Sequence, residues 1–129
     1  MFTTFPHYRQ LDTMDCGPTC VRIIADFYGK KYSLQHLRER SFTDREGVSA
    51  EGIIRCAESI GFDAMAIKIP FRVNHDETPD VFDLPTPFIA HWNQNHFVVV
   101  YKMTKNHVWI SDPAVGKEKL AVNAFKKDR

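Results

Sequence analysis

Apolar residues recur with two different periods in this chain, and the change of period divides it in half. From residue 17 to 29, Val21, Ile24, Ala25 and Tyr28 fall at helical spacing and Gly29 ends the run. Pro18 suits the first turn of that helix, where a missing N–H removes no hydrogen bond. Ser33 is placed to cap a short second helix through Arg40. Ser49 is placed to cap a third from Ala50 to Ile60, with Ile53, Ile54, Ala57 and Ile60 on one face and Gly61 at its end. After this the pattern shortens to strands. The segments Asp63–Ile69, Pro87–Trp92, His96–Lys102, His107–Ser111 and Lys117–Val122 are short and rich in Val, Ile, Phe and Trp. Lys105-Asn106 falls between two of them, as a hairpin turn would. Residues 70–86, with Pro70, Pro79 and Pro85, read as one long loop. Helices followed by strands predict an α+β fold, N-terminal helices packed on a mostly antiparallel sheet.

Length and composition fit that picture. The 129 residues suit one domain, and 43% hydrophobic content can build one core. No internal repeat or interior linker interrupts the chain. The domain is read as residues 1–125, with 126–129 as the start of a linker. A formal net charge of +1 gives no electrostatic footprint for nucleic acid or an anionic membrane. The basic end, Lys126, Lys127 and Arg129, reads as solvated. Residues 1–10 lack the apolar stretch of a secretory signal, and the longest apolar run, Phe97 to Tyr101, is strand-sized.

Three cysteines, an odd number without a signal, argue for reduced thiols rather than a disulfide framework. Cys16 stands directly before Gly17-Pro18 and so at the start of the first helix. Helix N-termini favour thiolates and offer N–H groups to an oxyanion, which makes Cys16 the candidate nucleophile. Cys20, one turn on, and Cys56, on the third helix, read as core residues. Cys16 and Cys20 form a C-x-x-x-C pair, but no second tight pair completes a zinc site. Gln10 is either a neutral oxyanion donor or a surface glutamine. Of the six histidines, His91 and His96 remain rivals for the base, His36 reads as exposed, and His75 lies in the proline-rich loop. Asp112 before Pro113 is either an orienting carboxylate or an Asp-Pro turn.

The segment QLDTMDCGPTC, residues 10–20, resembles the N-terminal signature of the bacteriocin-processing cysteine peptidases, the cytosolic N-terminal domains of peptidase-containing ABC transporters. Tyr28-Gly29, Tyr32-Ser33-Leu34, REGVSAEGIIRCAESIGF and HFVVVYKMTKNHVWISDPAVG are similar to later family segments, in the same order. The resemblance implies a papain-like fold. It implies Cys16 as nucleophile, His96 rather than His91 as base, Asp112 as third member and Gln10 as oxyanion donor. It implies cleavage of a precursor's leader peptide after a double glycine, coupled to export by a transporter at the cytoplasmic face of the bacterial inner membrane. No cofactor is expected in this domain; ATP belongs to a nucleotide-binding domain outside it. The competing reading is a peptidase-like domain that binds cargo or leader without cutting. A papain-like amidohydrolase of other specificity is a third. The 70–86 loop departs most from the family pattern, which bears on how the leader is held.

Overall fold

The computed structural model describes residues 4–41, 49–68, 81–92 and 96–127. The first helix, α1 (Cys16–Phe27), starts at the candidate nucleophile itself, with Asp15 at the N-cap position. Its first intrahelical bond runs from Thr19 N–H to Asp15 O at 3.0 Å, so Pro18 lies in the turn whose donors have no helical partner anyway. At the other end Lys30 N–H reaches back to Ala25 O (2.9 Å) across Gly29, whose φ is 90°. That closure needs a left-handed residue, which glycine adopts without Cβ strain. The helices α2 (Leu34–Glu39) and α3 (Ala50–Ser59) begin as the sequence predicts. Ser33 Oγ accepts from His36 N–H, and Ser49 Oγ accepts from Gly52 N–H.

Four antiparallel strands in the order β1-β2-β3-β4 form the sheet: β1 (Phe88–Trp92), β2 (His96–Met103), β3 (His107–Asp112) and β4 (Gly116–Ala121). The β2–β3 hairpin turns through residues 104–106 and carries a bulge at Tyr101, between the pairs Val100↔Ile110 and Lys102↔Trp109. The run HFVVVY reads as continuously apolar because β2 is central and covered on both faces. Phe97 and Val99 pack towards α1, Cys20, Val21 and Ile23. Val98 and Val100 pack towards Val108, Ile110, Val122 and Phe125.

Two features depart from the sequence pattern. Residues 63–68 form no strand, and Met65 (80% exposed) and Ile67 (54%) face solvent. Their alternation marks a surface segment with no sheet neighbour among the described residues; Ile69 and most of the 70–86 loop lie outside them. Conversely, the chain after β4 forms a helix, α4 (Val122–Lys127), so Lys126 and Lys127 lie in its last turn. Only Val122 and Phe125 supply its apolar side, too short a signal to register as periodicity. Trp92 Nε1–H donates to Phe125 O at 3.0 Å and ties this helix to β1.

Candidate active site

The N-terminus of α1 packs against β2, the strand that His96 opens. Cys20 Sγ, fully buried, donates to Phe97 O at 3.3 Å and fixes the helix to that strand one turn below Cys16. Burial holds the Cys20 thiol well above its ordinary range, so it stays protonated. Cys56 is likewise buried, and burial raises its thiol too. These are the core positions that the sequence assigns to both.

In an antiparallel hairpin the start of one strand lies beside the end of the next. His96 and Asp112 meet in this way, with Nε2 of the ring 2.5 Å from Asp112 Oδ1. The same oxygen accepts Ala114 N–H at 2.9 Å, so the Asp-Pro turn and the orienting carboxylate are one structure. With Nε2 engaged, Nδ1 is the nitrogen left to face Cys16, which also acts on the ring. Asp112 is 3% exposed and Cys16 6%, so the arrangement is screened from bulk water. The hydrogen bond to Asp112, and after it the nearby Cys16, lifts the His96 pKa from 6.5 to about 9 against the opposing effect of burial. The ring is therefore an imidazolium at neutral pH. His91, the rival, is exposed on β1 and leans on Phe97 at 4.8 Å between ring centroids.

Gln10 is carried to the same end of the sheet by its backbone. Its N–H donates to Pro113 O at 2.8 Å, one residue beyond Asp112. One Nε2–H donates to Asp12 O at 3.0 Å, which leaves the second amide hydrogen for another acceptor. Its Oε1 is buried without a hydrogen-bond partner. The segment leading to Gln10 is strapped across the sheet. Lys117 Nζ donates to Phe5 O (3.2 Å), Ser111 Oγ donates to Pro6 O (3.3 Å), and His7 Nδ1 lies 2.7 Å from Ser111 Oγ. Because the hydroxyl donates to Pro6, it accepts from His7, which places the His7 proton on Nδ1. Burial holds His7 below its ordinary pKa, so that link is made by a neutral ring.

The sequence reading passes over two contacts here, His7 with Ser111 and Arg38 with Asp15. The latter is a bidentate pair, Nε to Oδ1 at 3.0 Å and Nη2 to Oδ2 at 2.7 Å. Asp15 next to Cys16 is visible in the sequence, but nothing local points to a partner 23 residues away on α2. Among the described residues no group of three or more His, Cys, Asp or Glu side chains is arranged to hold a metal ion.

The arrangement gathers a thiol and a carboxylate about one imidazole, at a helix N-terminus, which is the equipment of a nucleophilic cysteine. The peptidase C39 family matches residues 4–128 of this chain. The lactococcin-G-processing and transport ATP-binding protein LagD of Lactococcus lactis subsp. lactis is 42% identical over 123 residues, which cover 92% of this chain and 17% of that protein. The colicin V secretion/processing ATP-binding protein CvaB of Escherichia coli is 32% identical over 111 residues, 86% of this chain and 15% of that protein. This chain thus spans about a sixth of the length of these relatives. The crystal structure of the peptidase domain of Streptococcus ComA, a bifunctional ABC transporter, superposes with a TM-score of 0.84 at 33% identity, covering 97% of this chain and 92% of that one. A double glycine motif protease from an AMS/PCAT transporter, in complex with its leader peptide, gives 0.82 at 26% identity, covering 95% and 84%.

Proposed function

Because the chain belongs to the peptidase C39 family, we propose that it is the cysteine peptidase domain of a processing transporter, cutting a precursor's leader peptide after a double glycine. The observation that carries this reading is the His96 ring, hydrogen-bonded to Asp112 and set beside Cys16 at the start of α1. A domain that only held the leader would have no use for that arrangement. The bond cut is taken from the double glycine motif protease, the similar structure that was crystallised with a leader peptide.

In the proposed reaction the Cys16 thiolate, paired with the His96 imidazolium, attacks the carbonyl carbon of the second glycine. The first-turn N–H groups of α1 and the second Nε2–H of Gln10 receive the developing oxyanion. His96 then protonates the leaving amine as the C–N bond breaks, which leaves a thioester on Cys16. Water attacks the thioester, its proton passes to His96, and the thiolate is released with the leader as a free acid. Asp112 holds the ring with Nε2–H towards itself and Nδ1 towards sulfur throughout. Two glycines present no side chains, which lets the backbone reach a thiol that is only 6% exposed.

The cargo leaves through the membrane and ATP-binding parts of an ABC transporter, of which this domain is the portion facing the cytoplasm. ATP is used there, and the peptidase chemistry draws only on side chains of this chain. No helix among the described residues is long and apolar enough to cross a membrane. The test is incubation with a double-glycine precursor, read by mass spectrometry. The chain should release a leader ending in Gly-Gly, and Cys16→Ala, with an unchanged circular dichroism spectrum, should release none. Undiminished cleavage by Cys16→Ala removes the nucleophile assignment.

A further inference from the structure

Asp15 immediately precedes Cys16 and is 2% exposed. It occupies the N-cap position of α1, yet its side chain caps no N–H. Both carboxylate oxygens are turned to Arg38 of α2, in the two-pronged geometry that a guanidinium forms with a carboxylate. A carboxylate here is a liability for the chemistry. It stands one residue from the sulfur, out of water, at the end of a helix whose partial positive charge favours a thiolate. Unopposed, it would work against the charge that Cys16 must carry.

We propose that Arg38 is a positioning residue for catalysis: its guanidinium cancels the buried Asp15 charge, so that the start of α1 stays net positive beside the nucleophile. The proposal rests on Cys16 being that nucleophile. The charged and titratable groups around the site come from every element that meets there. They are Asp15 and Cys20 on either side of Cys16, Arg38 from α2, Asp12 from the preceding loop (it also acts on Arg38), and His96 with Asp112 from the sheet. Arg38 is the cation that hydrogen-bonds Asp15. Its remaining amino group donates to Gln35 Oε1 at 3.3 Å, which steadies the fork from its own helix. A lysine could supply the charge but not the fork.

The test is the pH dependence of Cys16 alkylation by iodoacetamide, located by peptide mapping, together with leader cleavage. An opposed charge within a few ångströms shifts a titration by one to three units. Arg38→Met should therefore slow alkylation at pH 7 by about tenfold or more, move its midpoint to higher pH, and lower cleavage in step. Asp15→Asn/Arg38→Met, which leaves no lone charge, should restore the midpoint. An unchanged midpoint in Arg38→Met overturns the proposal, as does a double variant no better than Arg38→Met. If Arg38→Met fails to fold, the comparison moves to Asp15→Asn with and without Arg38→Met. Asp15→Asn leaves the Arg38 charge unopposed and should move the midpoint to lower pH, and adding Arg38→Met should return it to the wild-type value; a midpoint that neither change moves overturns the proposal. Cys16→Ala is the separate control: cleavage by that variant would sink the catalytic reading whatever the Arg38 series shows.

Discussion

Asp112→Asn is the change that asks most of the reasoning about His96. Asparagine keeps the shape and an oxygen for Ala114 N–H, but loses the charge that faces Nε2. The lift of His96 from 6.5 to about 9 corresponds, at about 1.4 kcal/mol per unit, to on the order of 3 kcal/mol favouring the imidazolium in the folded state. Asp112 is the larger contributor and Cys16 the second. In a Cys16→Ala background the Asp112 share, the larger of the two raising effects, is left alone. The sign follows from the direction of the shift. A histidine that binds its proton more tightly when folded adds stability that is complete below its unfolded value of 6.5. That stability declines as pH rises and is gone above the folded value. Urea unfolding of Cys16→Ala and Cys16→Ala/Asp112→Asn between pH 5.5 and pH 9.5 should show the largest gap at the acid end, closing towards the alkaline end. The His96 ring, followed by NMR, should titrate well above 6.5 in the first and at or below it in the second, where burial acts unopposed. A gap that is flat or widens with pH would refute the assignment, as would His96 titrating at its ordinary value with Asp112 intact. In the active chain the same physics sets an alkaline limb near pH 9 in kcat/KM, where the imidazolium is lost.

Gln10→Ala should lower kcat by about 100- to 1000-fold with KM little changed, because an oxyanion donor acts on the transition state rather than on the bound leader. Steady-state cleavage of a leader-bearing peptide checks this, and a pure KM effect would place Gln10 in binding instead. Cys20→Ala and Cys56→Ala should keep cleavage within severalfold, since both thiols are fully buried. Each should cost about 1–2 kcal/mol of stability for the space left behind, measured by urea unfolding. A variant as inactive as Cys16→Ala, yet folded, would redraw the thiol roles.

What can be read in the sequence is what neighbours along the chain decide. Gly29 and Gly61 end helices because the closing residue needs a positive φ, and Ser33 and Ser49 begin them because a hydroxyl lies three residues from an open N–H. The apolar run of β2 is visible because both of its faces are buried. Alternation misleads at residues 63–68 because period alone does not say whether a strand will find a neighbour. There Met65 and Ile67 are left exposed. The short helix α4 escapes because two apolar residues set no period.

The site divides along the same line. Spacing leaves His96 and His91 as rivals, and the folded hairpin, turning at residues 104–106, brings the end of β3 alongside the start of β2 and so pairs His96 with Asp112. His91 belongs to β1, on the far side of β2 from β3. The half with the candidate nucleophile is local, a cysteine ahead of Gly-Pro at a helix start. What no local pattern contains is how the two halves are held in register. Cys20 to Phe97 O, Ser111 to Pro6 O with His7, Gln10 to Pro113 O, and Arg38 to Asp15 span separations from 23 to 105 residues. Each depends on packing that is settled only when the helices meet the sheet. The chemistry is thus written in two short segments, and its geometry in the contacts between them. Substitution of Arg38, which breaks its contact with Asp15, should therefore change rate and pH dependence without touching a group that meets the substrate.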